Sequence, residues 1–426
     1  MTILIFVTSL LAAMAIGMPI AYALIICGVA LMLQLDIFDA QILAQNLVGG
    51  TDSFTLLAVP FFMLAGEVMN VGGLSRRIVN LALALVGHVR GGLGYVAIIA
   101  ACILSALSGS AAADAAALGA LLVPMMVKAG HDKARSVGLV ASASIIGPII
   151  PPSIAFILLG VTTNLSISKL FMAGIAPGLM VGLALAVAWY IVARKEQTQP
   201  RPRASATERV KALRESLWAL GLPVIIIFGL KFGLFTPTEA AVVAAIYALF
   251  VSIVIYRELN LKQLYGVFVT SAKITSVVIF MVSAALVSAW LITIADLPGQ
   301  VVALLSSFMD SPRLLMLMIM ILVVIVGTAM DMAPTILILG PVLVPVVQAA
   351  GIDPIYFGVL FIINNSIGLI TPPVGTVLNV VAGVTRTSME TVIRGVTPFM
   401  IAQIIVLGLM IIFPELVTVP AAWLSR

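Results

Sequence analysis

Two aspartates stand inside long apolar stretches of this sequence, and each follows a glycine and a hydroxyl residue. The two sets are Gly109, Ser110 and Asp114 in the first stretch, and Gly327, Thr328 and Asp331 in the second. Carboxylate, hydroxyl and carbonyl oxygens are the ligands that small hard cations prefer. An acid within a membrane segment is costly and marks a functional site by default. These residues therefore favour a cation site, with the carboxylates either binding the ion or capping the start of a helix.

A double proline follows each aspartate, in GPIIPPS at residues 147–153 and in GLITPPVGT at residues 368–376. Proline removes a helix hydrogen-bond donor, and glycine permits the turn that such a break needs. Inside a bilayer the freed backbone groups must face protein, water or a ligand. The freed carbonyls suit a cation such as Na⁺, and the freed amides suit a carboxylate. The sequence thus predicts two broken helices that bind an ion and an organic anion.

The double prolines belong to an internal repeat with a spacing of 221 residues, which separates Pro151 from Pro372. The same spacing relates further pairs: Pro124 and Pro345, Gly130 and Gly351, Asp132 and Asp353, Gly147 and Gly368, Gly174 and Gly395, and Pro177 and Pro398. The glycines that precede the two aspartates are 218 residues apart and the aspartates 217, so the repeat is approximate there. We expect a first repeat over 1–193, a linker over 194–215 and a second repeat over 216–426. Internal repeats of this kind are typical of secondary transporters.

Composition indicates a membrane protein with many spans, because 62% of the residues are hydrophobic and 9% are charged, against about 25% charged in soluble domains. With about 20 residues per span, we expect roughly ten to twelve membrane segments and no large domain outside the lipid bilayer. Seven of the 22 basic residues lie in the linker: Arg194, Lys195, Arg201, Arg203, Arg209, Lys211 and Arg214. The positive-inside rule places the linker in the cytoplasm. A basic loop between spans is a topology signal, so no nucleic-acid partner is expected.

Other polar residues allow two interpretations each. Glu67 lies in apolar sequence, where pairing with a cation is favoured over contact with a substrate. Glu239 follows Thr236 at the spacing of a helix cap. Arg386 could bind a substrate carboxylate or could lie solvated at a helix end. Three asparagines near the breaks could donate to substrate oxygens; they are Asn164, Asn365 and Asn379.

No set of residues suggests an enzyme. Cys27 and Cys102 lie in different apolar runs, and His88 and His131 are isolated from each other. The sequence offers no cluster of metal ligands, no phosphate-binding glycine loop and no nucleophile triad. We therefore expect no catalytic residue.

Several motifs, in order along nearly the whole chain, resemble the large membrane subunit of tripartite ATP-independent periplasmic (TRAP) transporters. They are GMPIAYAL at 17–24, VPFFMLAGEVM at 59–69, SGSAAADAAALG at 108–119, GPIIPPS at 147–153, FTPTEAA at 235–241 and ITPPVGTVLNV at 370–380. The resemblance implies an all-α polytopic membrane protein of two inverted repeats, each with a helical hairpin and a broken helix. It also implies an elevator-type movement of these elements against a scaffold.

In function, the resemblance implies uptake of an organic acid across the bacterial inner membrane, with Na⁺ as the coupling ion. The acid would be a C4-dicarboxylate, sialic acid or a related carboxylate, delivered by a periplasmic binding protein. A small membrane subunit is expected as a separate chain. The alternative is a stand-alone Na⁺/carboxylate symporter of the related type with broken helices and hairpins.

The resemblance also assigns residues to sites. The first Na⁺ site would involve Ser108, Ser110, Asp114, Gly147, Ile150 and Pro152. The second would involve Gly327, Thr328, Asp331, Gly368 and Thr371. The substrate is expected between the hairpin tips and the broken helices, near Ser153, Asn164, Asn365, Thr376 and Arg386.

Overall fold

The computed structural model describes residues 2–194, 196, 202–309 and 311–425, and this part of the chain is built from α-helices without strands. The helices of the first half are α1 Thr2–Ala15, α2 Ile20–Gln34, α3 Ala40–Thr51, α4 Ala58–Val71, α5 Leu74–Val86, α6 Gly92–Ser108, α7 Ala111–Lys128, α8 Lys133–Ser144, α9 Ile154–Thr163 and α10 Ile167–Ala193. Those of the second half are α11 Ala206–Lys231, α12 Pro237–Phe250, α13 Leu261–Ile294, α14 Leu297–Leu304, α15 Ser306–Met309, α16 Pro312–Ala329, α17 Met332–Ala349, α18 Pro354–Gly368, α19 Thr376–Thr385, α20 Met389–Ile412 and α21 Glu415–Leu424.

Helix starts follow capping signals in the sequence. The capping box predicted at Thr236 and Glu239 is confirmed, with reciprocal backbone-to-side-chain hydrogen bonds at the start of α12. A second box, formed by Ser205 and Glu208, starts α11. The expected linker over 194–215 is therefore too long at its C-terminal end, because residues from Ala206 onward already belong to a helix.

The helices form two bundles that combine elements of both halves. In the scaffold bundle, α4 packs on α12 and α13, α2 on α13, and α5 on α11. In the hairpin bundle, α8 packs on α20, α7 on α19, and α9 on α17. The largest fully buried side chains of the molecule all lie in the hairpin bundle: Trp189, Phe156, Phe171, Phe357, Phe361 and Phe399. Close-packed aromatic cores resist deformation, so the hairpin bundle has the character of a rigid body.

The two halves have inverted orientations, as the contacts of the equivalent helices α10 and α20 show. Trp189, near the C-terminal end of α10, packs on Phe399, near the N-terminal end of α20, with ring centroids 6.2 Å apart. At the other end of the groove between these helices, Met180 lies opposite Leu409. The two helices are therefore antiparallel, and the fold is the expected all-α arrangement of inverted repeats.

Small residues bring α8 and α20 into close contact. Ala134, Gly138 and Ser142 are four residues apart on α8, which places them on one face of the helix. A methyl group at Gly395 of α20 would overlap the Ala134 carbonyl, and one at Gly138 would overlap the Gly395 backbone. Gln403 Nε2 donates to the Ser142 carbonyl (2.8 Å) further along. Small residues at this spacing let membrane helices approach closely, which locks the two halves of the hairpin bundle together.

Nine helical segments in the described part of the chain are long and apolar enough to cross a membrane. The helices α8 and α9 are shorter and are interrupted over residues 145–153, and α18 and α19 are interrupted over residues 369–375. At 1.5 Å per residue, the 12-residue α8 and the 10-residue α9 are about 18 and about 15 Å long. Together they match the hydrocarbon thickness of about 30 Å. Each break therefore falls near the middle of a span.

Candidate functional site

A cavity of about 190 Å³ lies where the two halves and the two bundles meet. Both hairpin tips contribute to it: Gly109–Ser110 between α6 and α7, and Met330–Asp331 between α16 and α17. Both breaks and the scaffold helices α4 and α13 complete the wall. The lining residues are Met63, Gly109, Ser110, Ala111, Ala112, Pro148, Ile154, Ala155, Leu158, Ile274, Val278, Asp331, Met332, Ala333, Leu369, Thr376 and Val377.

Four helix N-termini converge on this cavity. Its lining includes the first two residues of α7, α9, α17 and α19, which are Ala111 and Ala112, Ile154 and Ala155, Met332 and Ala333, and Thr376 and Val377. Each N-terminus carries roughly half a positive charge from its aligned peptide dipoles. No Lys, Arg or His is among the lining residues described above. Peptide dipoles and backbone amides thus supply the positive potential here, and they favour an anionic group such as a carboxylate.

The first hairpin tip brings together residues of the predicted first ion site. Gly109 has a left-handed φ of +59°, and a methyl group there would lie 3.1 Å from the Pro152 carbonyl oxygen. A methyl group at Gly147 would lie 2.9 Å from Asp114 Oδ2, so the buried carboxylate fits against this break because glycine stands there. Ser110 caps α7 by accepting from the Ala113 amide (3.4 Å). Ile150 and Pro152 are buried in the same break, whereas the Ser108 side chain lies outside the described part of the structure.

The second tip brings together residues of the predicted second ion site. Gly327 and Gly368 are in backbone contact, since a methyl group at Gly368 would lie 2.8 Å from Gly327 Cα. Asp331 caps α17, and its Oδ1 accepts from the Met332 amide (2.8 Å) and from Thr376 Oγ1 (3.4 Å). Backbone and carboxylate oxygens of this half-site therefore lie beside the cavity.

The hydroxyl groups of the second set are engaged with the backbone. Thr328 Oγ1 donates to the Ile325 carbonyl and Thr371 Oγ1 to the Ile367 carbonyl, each at 2.7 Å. Hydroxyl oxygens that donate in this way keep lone pairs for another partner. The Thr328 carbonyl accepts from the Gly375 amide (3.3 Å), which connects the end of α16 to the second break.

Asn365 occupies a different place from the expected one at the substrate. It is completely buried in the last turn of α18 before the break, and its Nδ2 donates to the Met332 carbonyl (3.2 Å). Its Oδ1 has no hydrogen-bond partner among the described residues and lies 3.0 Å from the position of a methyl group at Gly327. A buried oxygen without a partner requires an explanation. Its position beside Gly327 and Gly368 associates Asn365 with the second ion site.

The other residues predicted at the substrate are dispersed. Thr376 lines the cavity. Ser153 is buried at the N-cap of α9, where it donates to the Pro148 carbonyl and accepts from the Phe156 amide. Asn164 and Arg386 are exposed left-handed C-caps of α9 and α19, at the ends of these helices away from the breaks. Ten residues of helix separate Arg386 from Thr376, which corresponds to about 15 Å.

The cavity wall also contains residues that the sequence did not single out. Met63 of α4 and Ile274 and Val278 of α13 form its apolar side, which belongs to the scaffold bundle. Met63 lies within the VPFFMLAGEVM motif, so the motif was a signal, although its side chain was not. For α13 no sequence signal was available, because Ile and Val are ordinary residues of a membrane helix.

The two aspartates are not structural counterparts. Helices α7 and α17 begin 221 residues apart, at Ala111 and Met332, so the caps Ser110 and Asp331 are equivalent. The counterpart of Asp114 is Thr335, whose hydroxyl donates to the Asp331 carbonyl (2.9 Å). The sequence interpretation that paired the aspartates with a slip of one residue is therefore wrong. Both tips have two residues, and this fixes the spacing of the repeat at 221.

Comparisons with known proteins agree with these features. The sequence matches the family described as the DctM component of the tripartite ATP-independent periplasmic transporter over residues 7–416. It is similar to the 2,3-diketo-L-gulonate TRAP transporter large permease protein of Escherichia coli, with 56% identity over 425 residues that cover all of both chains. It is also similar to the sialic acid TRAP transporter large permease protein of Vibrio cholerae, with 41% identity over 94% of this chain and 93% of that protein.

Among solved structures, the YdaH transporter of Alcanivorax borkumensis is similar in fold. The TM-score is 0.65, and the match covers 88% of this chain and 89% of that one at 15% identity. At this identity the likeness concerns the fold alone.

Proposed function

The chain belongs to the DctM component family of tripartite ATP-independent periplasmic transporters, and we propose from this premise that it imports an organic acid with Na⁺ as the coupling ion. It is a multi-pass membrane protein of the large permease type. The acid would come from the class of sugar acids, sialic acids and C4-dicarboxylates. The relatives named for 2,3-diketo-L-gulonate and sialic acid support this range.

The observation that carries the proposal is the convergence of four helix N-termini on one cavity between two oxygen-rich tips. The N-termini suit the carboxylate of the acid. Asp331 belongs both to the cavity wall and to the second tip. Its negative charge opposes an anion in the cavity until a cation at the tip neutralises it. This arrangement makes binding of the acid dependent on binding of the ion, which is the requirement for symport.

The two tips would each hold one Na⁺. At the first, Asp114 with the carbonyls around Gly147 would provide the ligands. At the second, Asp331, the backbone at Gly327 and Gly368, and the partnerless Asn365 Oδ1 would provide them. Small hard cations are bound by such sets of carboxylate and carbonyl oxygens.

Transport would proceed by movement of the hairpin bundle against the scaffold bundle. The hairpin bundle contains both tips, both breaks and the large aromatic core, so it can carry the cavity as one unit. The scaffold side of the cavity is apolar, at Met63, Ile274 and Val278. An apolar wall presents no strong hydrogen bonds that would have to break at each step. Both features support an elevator movement.

A test uses proteoliposomes that contain the chain with its small membrane subunit, with the periplasmic binding protein added outside. A panel of 2,3-diketo-L-gulonate, sialic acid and a C4-dicarboxylate is offered with and without a Na⁺ gradient. We expect one acid to accumulate, and only when both Na⁺ and the binding protein are present.

Two other results have clear meanings. Accumulation of an acid at the same rate without Na⁺ would contradict the assignment of the coupling ion. Na⁺-driven accumulation without the binding protein and the small subunit would instead support the stand-alone symporter.

A further inference from the structure

Glu67 is an acid on the scaffold wall, close to the cavity. It lies on α4 four residues after Met63, which lines the cavity, so the two side chains share one face of the helix. Met63, Leu64, Glu67 and Asn70 are the positions of this face that remain partly or fully accessible. Glu67 is thus about 6 Å further along the helix than the cavity wall.

Glu67 has no partner in the described part of the structure. Neither a hydrogen bond nor an ion pair to its carboxylate is present among these residues, so the predicted pairing with a cation is not found. Another scaffold acid, Glu258, shows the contrast. It binds Arg76 at 2.9 Å and Arg77 at 2.7 Å. A carboxylate within a membrane span is costly, so an unpaired one at this position calls for a functional reason.

Glu67 lies on the cytoplasmic side of the cavity. Helix α4 ends at Val71, directly before the loop and helix that carry Arg76 and Arg77. Ser216 of α11 donates to the Arg77 carbonyl (2.9 Å), and α11 is the helix that leaves the basic linker. The positive-inside rule assigns that linker to the cytoplasm. Along α4, Glu67 therefore stands between the cavity and the cytoplasmic end of the scaffold.

We infer that Glu67 selects the charge of the loaded hairpin bundle: it opposes the inward passage of a bundle that holds the organic anion without its cations. The inference rests on the proposed function. An anion that moves past this carboxylate in a medium of low dielectric constant meets an unscreened like charge. When Na⁺ ions accompany the anion, the net charge of the moving site is neutral or positive, and the same carboxylate no longer opposes it. Glu67 would thus act as a barrier against uncoupled leakage.

The test compares three variants with the wild type in the proteoliposomes described above, using the acid of the panel that the wild type accumulates. Glu67→Gln removes the charge at nearly constant size, and Glu67→Asp keeps it. Glu239→Gln is the matched control, because Glu239 is a scaffold acid that caps α12. The measured quantity is the ratio of the uptake rate without Na⁺ to the rate with Na⁺. Membrane insertion of each variant is measured in parallel.

We expect Glu67→Gln to raise this ratio by about tenfold or more, which corresponds to at least about 1.4 kcal/mol of lost barrier. Glu67→Asp and Glu239→Gln should keep the ratio of the wild type. An unchanged ratio in Glu67→Gln would overturn the inference. A Glu67→Gln protein that inserts but transports nothing would overturn it as well, since removal of a barrier does not stop a carrier. If the wild type itself accumulates no acid with Na⁺, the failure concerns the proposed function instead.

Discussion

The two half-sites built by the repeat differ in how far protein covers them. Every residue of the first break, 145–153, is buried, whereas Pro373 and Val374 of the second break are exposed. The aspartates follow the same division, because Asp114 is 3% exposed and Asp331 is open to the surface. Duplication thus reproduced the helices and the double prolines without reproducing access. The first half-site must be filled before it closes, while the second can exchange its contents in the present conformation.

The largest expected effect tests the tightest contact of the second half-site. In Gly368→Ala the new methyl group would lie 2.8 Å from backbone atoms of Gly327, which cannot move aside as a side chain can. Overpacking of this kind costs about 1–3 kcal/mol. We expect loss of Na⁺-driven uptake and a lower apparent melting temperature in detergent.

The equivalent change in the first half-site, Gly147→Ala, should behave differently, because the nearest atom is a carboxylate oxygen of Asp114. That side chain can shift, so stability should be largely kept while the Na⁺ concentration for half-maximal uptake rises. Gly383→Ala on α19 is the control, since no atom lies within 4 Å of its new methyl group. Equal stability of Gly368→Ala and Gly383→Ala would show that the contact between the two backbones is looser than described.

The next effect concerns the exposed aspartate. Asp331→Ala removes a carboxylate from both the cavity wall and the second tip, and we expect it to abolish accumulation while membrane insertion stays normal. Asp331→Asn keeps an N-cap of similar quality. It should therefore retain stability but need about tenfold more Na⁺ for half-maximal uptake, equivalent to about 1.4 kcal/mol.

Asp114→Asn provides the comparison with the buried half-site. Because Asp114 is enclosed, its substitution should also slow exchange of the ion, measured as the rate of ²²Na⁺ release. Normal Na⁺-dependent uptake by Asp331→Ala would exclude this residue from the second ion site.

A smaller effect is expected for the asparagine that faces Gly327. Asn365→Ala and its neighbour Asn364→Ala each lose one buried hydrogen bond to a backbone carbonyl, to Met332 and to Met320. Both should lose about 1 kcal/mol of stability. Only Asn365→Ala should raise the Na⁺ requirement, by about threefold to tenfold. Parallel Na⁺ titrations for both variants would remove Asn365 Oδ1 from the list of ion ligands.

Much of this architecture could be predicted from the sequence, because proline and glycine determine the local backbone. The double prolines gave both breaks, and the glycines beside the aspartates gave both tips. Sequence proximity was misleading where a helix intervened: Arg386 is near the second break in the chain but about 15 Å away along α19. The binding surface itself could not be predicted. Backbone amides at four helix starts and the apolar Met63 carry no distinctive residue type, and only the fold brings them together.

The smallest expected effect concerns an attachment that the first half has and the second lacks. Glu196 Oε2 lies 2.7 Å from His131 Nδ1, and its Oε1 accepts from Arg135 Nη1 (3.1 Å) and from the Asp132 amide (3.4 Å). These contacts fasten the beginning of the linker to the loop between α7 and α8. At the equivalent loop of the second half, the residue in the place of His131 is Ile352. The first half is thus held at its cytoplasmic end as well as closed at its tip.

Burial acts to raise the pKa of the Glu196 carboxyl, but the hydrogen bond and charge of His131, aided by Arg135 and the Asp132 amide, outweigh it and leave the pKa below its ordinary value. A carboxylate with a lowered pKa stabilises the fold above its unfolded pKa, about 4.3, and loses that contribution as the pH falls through the folded value. We therefore expect Glu196→Gln to lower the apparent melting temperature by about 2–4 °C at pH 7, and the difference from the wild type to narrow below about pH 4.3. A constant difference across that range would mean that packing of the side chain, rather than its charge, fastens the linker. In that case the contrast between the two halves would rest on the covered tip alone.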